Sequence, residues 1–408
     1  MRCSLISRLF SIPGAHTLEV AKANGRYSSL SRLFSLTPEA VVEEVVKSGL
    51  RGKGGGGSPT GEKWLLMPPL DGKPRHLVVN ADESEPGTFK DRQILEYDPH
   101  LLIEGIIASA YALHVKHAYV YIRGEYHFWA ARFETALKEA YGAGLLGKRL
   151  DITLHRGAGA YICGEKTALL ESLEGKRGHP RLKPHTKEPE WLFGHPAVVN
   201  NVETIASVPY IIEHGFEAYR AFGTPQSPGT MLFGLSGHVT NPGIYELAFG
   251  TSMQWFLDEI GGGVKEGKAL KAIVPGGSSC SILKAQHIPN VTLDYESLKC
   301  SNSTLGTGGM IIMDETVSIP KAMKNLLEFY HHESCGQCTP CREGTGWMDR
   351  ILAKVLNGQG KRSDIDLLLE ISTTMNGKTI CVFAPAVADM AVSYIHAFPE
   401  EFYALCPS

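Results

Sequence analysis

The chain has 408 residues, 43% hydrophobic and 20% charged, with a net charge of −3. That length supports a large core shared among roughly two to four domains, and the near-neutral charge excludes the basic surface that nucleic acid or an anionic membrane demands. No apolar run reaches the ~18 residues of a transmembrane helix; the nearest, "LLIEGIIASAYALHV" at 101–115, is broken by Glu104 and reads as a buried helix.

In chain order, the N-terminus carries Arg2, Arg8 and several serines, with no acid before Glu19. This is a weak match to a mitochondrial presequence, and an irregular arm over residues 1–36 is the expectation. A helical run, "TPEAVVEEVVKSGL", leads into "RGKGGGGSPTGEKW" at 51–64. Then "HLVVN" reads as a buried strand, "ADESEPGTFKDR" as an acidic loop, and "HAYVYIRG" as a second strand. "HFWAARFETALKEAYGAGLLG" reads as a helix ended by glycine, and "DITLHRGAGAYICGEKTALLESLEG" as strand, glycine turn and helix. Alternating strand and helix predict a parallel α/β layer. From about 229 to 313 short strands dominate, with a turn at Asn241-Pro242-Gly243. Beyond 318 the pattern is that of a helical bundle.

"ESCGQCTPCRE" places Cys335, Cys338 and Cys341 as C-x₂-C-x₂-C, and Cys381 in "GKTICVFAP" can supply a fourth thiolate if the bundle folds back. Zinc accepts four thiolates, but zinc ribbons pair two C-x₂-C units, whereas this spacing is of the ferredoxin type and favours a [4Fe–4S] cluster. Cys3, Cys163, Cys280, Cys300 and Cys406 are isolated and read as small buried hydrophobes. An odd count of nine, with no secretory signal, argues against a disulfide framework.

A glycine-rich loop lets backbone N–H groups approach a phosphate. This one fits neither the P-loop order nor a G-x-G-x-x-G after a strand. Lys53 and Lys63 bracket it with positive charge. Asn80, Asp82 and Glu85, Tyr161 and Glu165, and Asn200, Asn201 and Thr204 provide polar groups for one planar, phosphorylated cofactor.

These motifs together resemble the NADH-binding flavoprotein component of respiratory complex I (its F subunit in bacteria) and the equivalent subunits of NAD-linked hydrogenases and formate dehydrogenases. The stretches that carry the resemblance are "LRGKGGGGSPTGEKW", "VVNADESEPGTFKDR", "RGAGAYICGE", "VNNVET", "SGHVTNPG", "PGGSS" and "ESCGQCTPCREG", and it extends from about residue 25 to the C-terminus. It implies an α/β fold: a Rossmann-like FMN-binding domain over 37–225, a ubiquitin-like α+β (β-grasp) domain over 226–316 and a four-helix bundle with a [4Fe–4S] cluster over 317–408. Gly52, Gly54, Lys63, Asn80, Asp82, Glu85, Tyr161, Glu165, Asn200, Asn201 and Thr204 match FMN-site positions, with Glu85 and Glu165 as catalytic candidates. Cys335, Cys338, Cys341 and Cys381 match the cluster ligands. The implied function is electron input to an NADH-quinone oxidoreductase: hydride from NADH to FMN, then single electrons to the cluster and onward to quinone. The implied partners are a thioredoxin-like [2Fe–2S] subunit and a large multi-cluster iron–sulfur subunit. Membrane contact would come only through partners, on the cytoplasmic side of the bacterial inner membrane, or less expectedly the mitochondrial matrix side.

The chain departs from the family at the nucleotide pocket. Ser58, Leu66 and Thr186 stand where the family has aromatic residues that hold the adenine, and Lys166 replaces a glutamate beside the ribose. Those changes predict weakened NADH binding. They also leave open NADPH, or a protein donor such as ferredoxin or flavodoxin, feeding the same relay.

Overall fold

The computed structural model describes residues 3–182 and 188–406. Strand β1 (His76–Ala81) is almost wholly buried, as expected of a Val/Leu segment with helices on both faces. It lies at the centre of a five-stranded sheet with β2 (His117–Ile122), β3 (Asp151–Arg156), β4 (Glu190–Leu192) and β5 (His195–Asn201), in the order β3-β2-β1-β5-β4. All neighbours are parallel except the β4 edge, which pairs antiparallel with β5. The chain therefore winds one way from β1 through β3 and returns on the other side at β5. That reversal opens a crevice at the carboxyl ends of β1 and β5, where ligands bind in sheets of this type.

The crossover helix Pro99–Ala112 is the apolar run of the sequence, and Glu104 within it is buried. Its carboxylate accepts a hydrogen bond from the Ser29 hydroxyl, so the interrupting acid caps the arm instead of reaching solvent. Gly105 lets this helix touch the one at Val202–Ala206: a Cβ there would stand 2.3 Å from the Ile205 carbonyl oxygen. The helix His127–Gly142 covers the β2–β3 crossover, and its C-cap is Ala143 rather than a glycine.

A second sheet joins β6 (Thr230–Gly237), β7 (Gly243–Ala248), β8 (Leu270–Val274), β9 (Leu283–Lys284) and β10 (Gly309–Asp314) in the order β7-β6-β10-β8-β9. Only the central β6–β10 pair is parallel, which is the mixed arrangement of a ubiquitin-like sheet. The helices Ile319–Glu333, Thr339–Leu356, Arg362–Met375 and Phe383–Ala397 form the C-terminal bundle. Its core is continuous with one face of the first sheet: Met348, Leu368 and Tyr394 belong to the same apolar cluster as Val78, Leu169 and Val199. The bundle therefore sits directly against the α/β layer.

The arm expected to be irregular over 1–36 is folded and docked over its described residues, 3–36. Helices Leu18–Ala23 and Ser29–Leu33 form within it, and Ile6, Leu9 and Leu33 are buried. Glu246 of β7 accepts hydrogen bonds from the Leu5, Ile6 and Ser7 backbone N–H groups, and Arg26 forms a buried ion pair with Asp98. Among the isolated cysteines, Cys163, Cys280 and Cys406 are buried as expected, while Cys3 is partly exposed and Cys300 is exposed.

Candidate functional site

The glycine loop leaves the helix Pro38–Ser48 through Gly49 and closes on itself, with the Gly52 N–H donating to the Ser58 carbonyl at 2.8 Å. Its glycines answer to different demands. Gly57 has φ +62° and packs so tightly on Tyr295 that a Cβ would lie 2.3 Å from the ring. Gly55 has φ +120°, and a Cβ on Gly54 would press on the Asn201 side chain at 3.1 Å. A Cβ on Gly56 would meet nothing within 4 Å. Gly56 is exposed and has no strained φ, so the loop leaves open space beside it, room that a phosphate bound to backbone N–H groups would need.

The two lysines that bracket the loop have opposite fates. Lys63 donates to the Val199 carbonyl at 2.9 Å, and burial, with Lys166 nearby, pulls its ammonium down to about 8. Lys53 turns away from the loop's open side altogether. It is fully buried, donating to the Ser207 hydroxyl at 2.7 Å and lying 3.4 Å from Glu203. Of the positive charge expected to bracket the loop, the Lys53 share is therefore taken up by Glu203 in the interior.

At the carboxyl ends of β1 and β5 the predicted polar residues converge. The Trp64 indole donates to Asn200 Oδ1 at 3.0 Å, which leaves Asn200 Nδ2 buried with no partner. A buried donor left without a partner is costly, and here it is available to a ligand or an ordered water. Asn80 donates to the Gly164 carbonyl and receives the Asp82 N–H. Burial pushes the Asp82 carboxyl up to about 7, against the opposing pull of the Ser84 hydroxyl and Arg123. Near neutral pH this group can donate as well as accept a hydrogen bond. Glu85 is fixed by three donors: the Ser279 N–H at 2.7 Å, the Ser278 hydroxyl at 3.2 Å and the Tyr161 hydroxyl at 2.5 Å. Gly277, with φ +99°, gives it room, since a Cβ there would stand 2.6 Å from Glu85 Cγ. The "PGGSS" motif of the second sheet's unit is thus part of this crevice.

Other predicted residues serve the scaffold. Asn201 Oδ1 caps the helix Val202–Ala206, while its Nδ2 donates to Asp91 at 2.6 Å. The Thr204 hydroxyl accepts the Lys53 N–H at 2.9 Å, and the Tyr295 hydroxyl donates to the Gly52 carbonyl. Glu165 Oε2 caps its own helix, Lys166–Leu173, through the Thr167 and Ala168 N–H groups. Sequence reading missed Lys90, Asp91 and Glu203, which form a buried charged cluster behind the loop with Lys53. Lys90 and Asp91 stand in "VVNADESEPGTFKDR" and Glu203 in "VNNVET", so the signal was within the resembling stretches, but only tertiary packing pairs them.

Cys335, Cys338, Cys341 and Cys381 line a single cavity with Ile162, Pro180, Ile380 and Phe383. Among the described residues, no group of three or more His, Cys, Asp or Glu side chains is gathered as for a single metal ion. Four thiols set around one cavity suit a cluster of several irons. The cavity is close to the crevice. Tyr161, bonded to Glu85, packs its ring 5.7 Å from that of Phe383, and the next residue, Ile162, lines the cavity wall.

At the nucleotide-pocket positions, Ser58 is exposed on the glycine loop and Leu66 caps the helix Thr60–Leu65. Thr186 lies outside the described residues. Lys166 forms an ion pair with Glu190 of β4, so the charge reversal expected at this position is offset by a carboxylate from the neighbouring strand. Phe193, in the β4–β5 turn, packs its ring edge-on to His76 at the amino end of β1.

The Nuo51 FMN-binding domain family matches residues 45–210, and the NADH-ubiquinone oxidoreductase-F iron-sulfur binding region matches residues 321–405. The chain is 49% identical over 395 residues to the NADH-quinone oxidoreductase F subunit of Rickettsia bellii, covering 95% of each. It is 47% identical over 414 residues to the F subunit of Mycobacterium tuberculosis, covering 98% of this chain and 93% of the relative. Among solved structures, an NAD+-reducing [NiFe]-hydrogenase in the H2-reduced state superposes with a TM-score of 0.84 at 34% identity, over 91% of this chain. The chain spans 63% of that hydrogenase chain's length.

Proposed function

The chain belongs to the family of NADH-quinone oxidoreductase F subunits, and on that premise we propose that it is the electron-input subunit of such an enzyme, oxidising NADH and delivering electrons to its iron–sulfur cluster. The observation that carries this reading is the shared wall: Tyr161 holds Glu85 in the crevice, and its neighbour Ile162 lines the cysteine cavity. Bound FMN supplies hydride acceptance and conversion to single electrons, and a [4Fe–4S] cluster stores one electron at a time, chemistry that the side chains do not perform.

The protein's part is binding and geometry. The N–H groups around Gly56 and the Lys63 ammonium suit a phosphate. Asn200 Nδ2, Asn80 and Asp82 suit the polar edge and ribityl hydroxyls of a flavin. Glu85, immobilised by its three donors, and Glu165 line the approach of the nicotinamide. Cys335, Cys338, Cys341 and Cys381 hold the cluster. Family membership makes the chain one component of a multi-subunit assembly, and no helix among the described residues is long and apolar enough to cross a membrane. The partners that fit are a thioredoxin-like [2Fe–2S] subunit and a multi-cluster iron–sulfur subunit, with the membrane reached through them and the chain on its cytoplasmic side.

NADH binds more weakly here than in relatives with aromatics at positions 58 and 66. Each stack is worth roughly 1–3 kcal/mol by analogy with base–aromatic contacts. Ser58→Phe with Leu66→Phe is expected to lower KM for NADH at least about tenfold with little change in kcat. An unchanged KM would show that neither position touches the nucleotide.

A further inference from the structure

Lys53 stands at the start of the glycine loop, yet its side chain contributes nothing to the loop's open face. Both its ends are tied to one short element. Its backbone N–H donates to the Thr204 hydroxyl at 2.9 Å, and its Nζ donates to the Ser207 hydroxyl at 2.7 Å and faces Glu203 at 3.4 Å. Lys53 and Glu203 are both fully buried. Glu203 is itself immobilised: it accepts the Leu232 N–H of β6 at 2.8 Å and pairs with Lys90 at 2.8 Å. The element they share begins at Asn201, directly after Asn200 with its unpartnered Nδ2. The loop and that orphaned donor are therefore held in one register through Lys53.

We propose that Lys53 is a positioning residue for the cofactor phosphate: by anchoring the loop to Glu203 and Ser207 it aims the N–H groups around Gly56 at the same ligand that Asn200 meets. This rests on the reading that the loop takes the FMN phosphate. Removing Lys53 leaves Glu203 still paired with Lys90, so the buried carboxylate is not stranded and the fold has a partner for it.

The test uses the full chain, stripped of flavin and with its cluster in place. Dissociation constants for FMN and for riboflavin are measured by flavin fluorescence quenching, with the reduced cluster's EPR signal as the control for folding. Riboflavin keeps the ring and ribityl chain and lacks only the phosphate. Lys53→Met is expected to weaken FMN at least about tenfold while riboflavin changes by less than about twofold, the loss of one or two aligned hydrogen bonds. Lys53→Arg should restore part of the FMN affinity. Ser207→Ala, which keeps the ion pair, should weaken FMN a few-fold with the same selectivity, and it decides the matter if Lys53→Met does not fold. Equal losses for FMN and riboflavin, or none for either, would overturn the proposal. Wild-type protein that binds riboflavin as tightly as FMN would overturn the underlying phosphate assignment, and this inference with it.

Discussion

Asp82 and Lys63 carry the two pH dependences of the crevice, the first acting on stability and the second on cofactor affinity. Burial raises the Asp82 carboxyl to about 7. Its unfolded value is near 3.9, so between about pH 4 and 7 the unfolded chain has released a proton that the folded chain retains. Stability is therefore lost across that window and levels off above it. Asp82→Asn should remove this loss, making the flavin-free variant more stable than wild type by a margin that grows to on the order of 4 kcal/mol by pH 8. Parallel denaturant titrations at pH 4.5 and pH 8 check it; an equal margin at both would show that Asp82 is not held in its neutral form. Lys63, pulled down to about 8, loses charge as pH climbs past that value. FMN affinity should fall over pH 8–9.5 in wild type and hold steady in Lys63→Arg; parallel curves would remove Lys63 from the phosphate site. The two lysines also define what was legible residue by residue. Lys53 and Lys63 look equivalent in "GKGGGGSPTGEK", and only the packing of Glu203 and Ser207, some 150 positions away, decides that one is buried behind the loop.

At the scale of elements, the cysteine motif was the most readable because three thiols lie within seven residues, and their spacing alone limits what they could bind. The fourth, Cys381, needed the bundle to fold back, which it does, through the helices between 339 and 397. Cys381→Ala should strip or convert the cluster while FMN stays bound, read as iron content and EPR against flavin absorbance; an unchanged EPR signal would exclude Cys381 as a ligand. The glycine loop was legible as a ligand-binding loop, but not glycine by glycine. Gly57→Ala drives a methyl into Tyr295 at a positive φ and should destabilise the protein by several kcal/mol. Gly56→Ala meets no neighbour, so the apoprotein's melting temperature should hold while FMN affinity falls. Undiminished FMN affinity in Gly56→Ala would place the cofactor elsewhere. Tyr295 and "PGGSS" were unreadable as parts of the site because they come from the second sheet's unit, and only tertiary contact brings them to the loop and to Glu85.

Across the whole molecule, the parallel layer, the small mixed sheet and the bundle follow from periodicity and turn residues. The N-terminal arm does not. Its serines and arginines suggested a loose extension, yet its anchor is Glu246, about 240 residues along the chain, with Asp98 and Glu104 as further attachments. Such partners leave no local trace in the sequence. The larger arrangement places the strand-end crevice and the cysteine cavity on either side of Tyr161 and Ile162, the wall that electrons from a nicotinamide nucleotide would cross within one chain. Anaerobic titration of the purified holoprotein with NADH, following flavin absorbance and cluster EPR in the same sample, tests that transfer most directly. Bleaching of the flavin together with appearance of the reduced-cluster signal, at roughly three electrons per chain, is the expected result for a two-electron flavin and a one-electron cluster. A flavin that stays oxidised under excess NADH but bleaches with reduced ferredoxin would contradict the account.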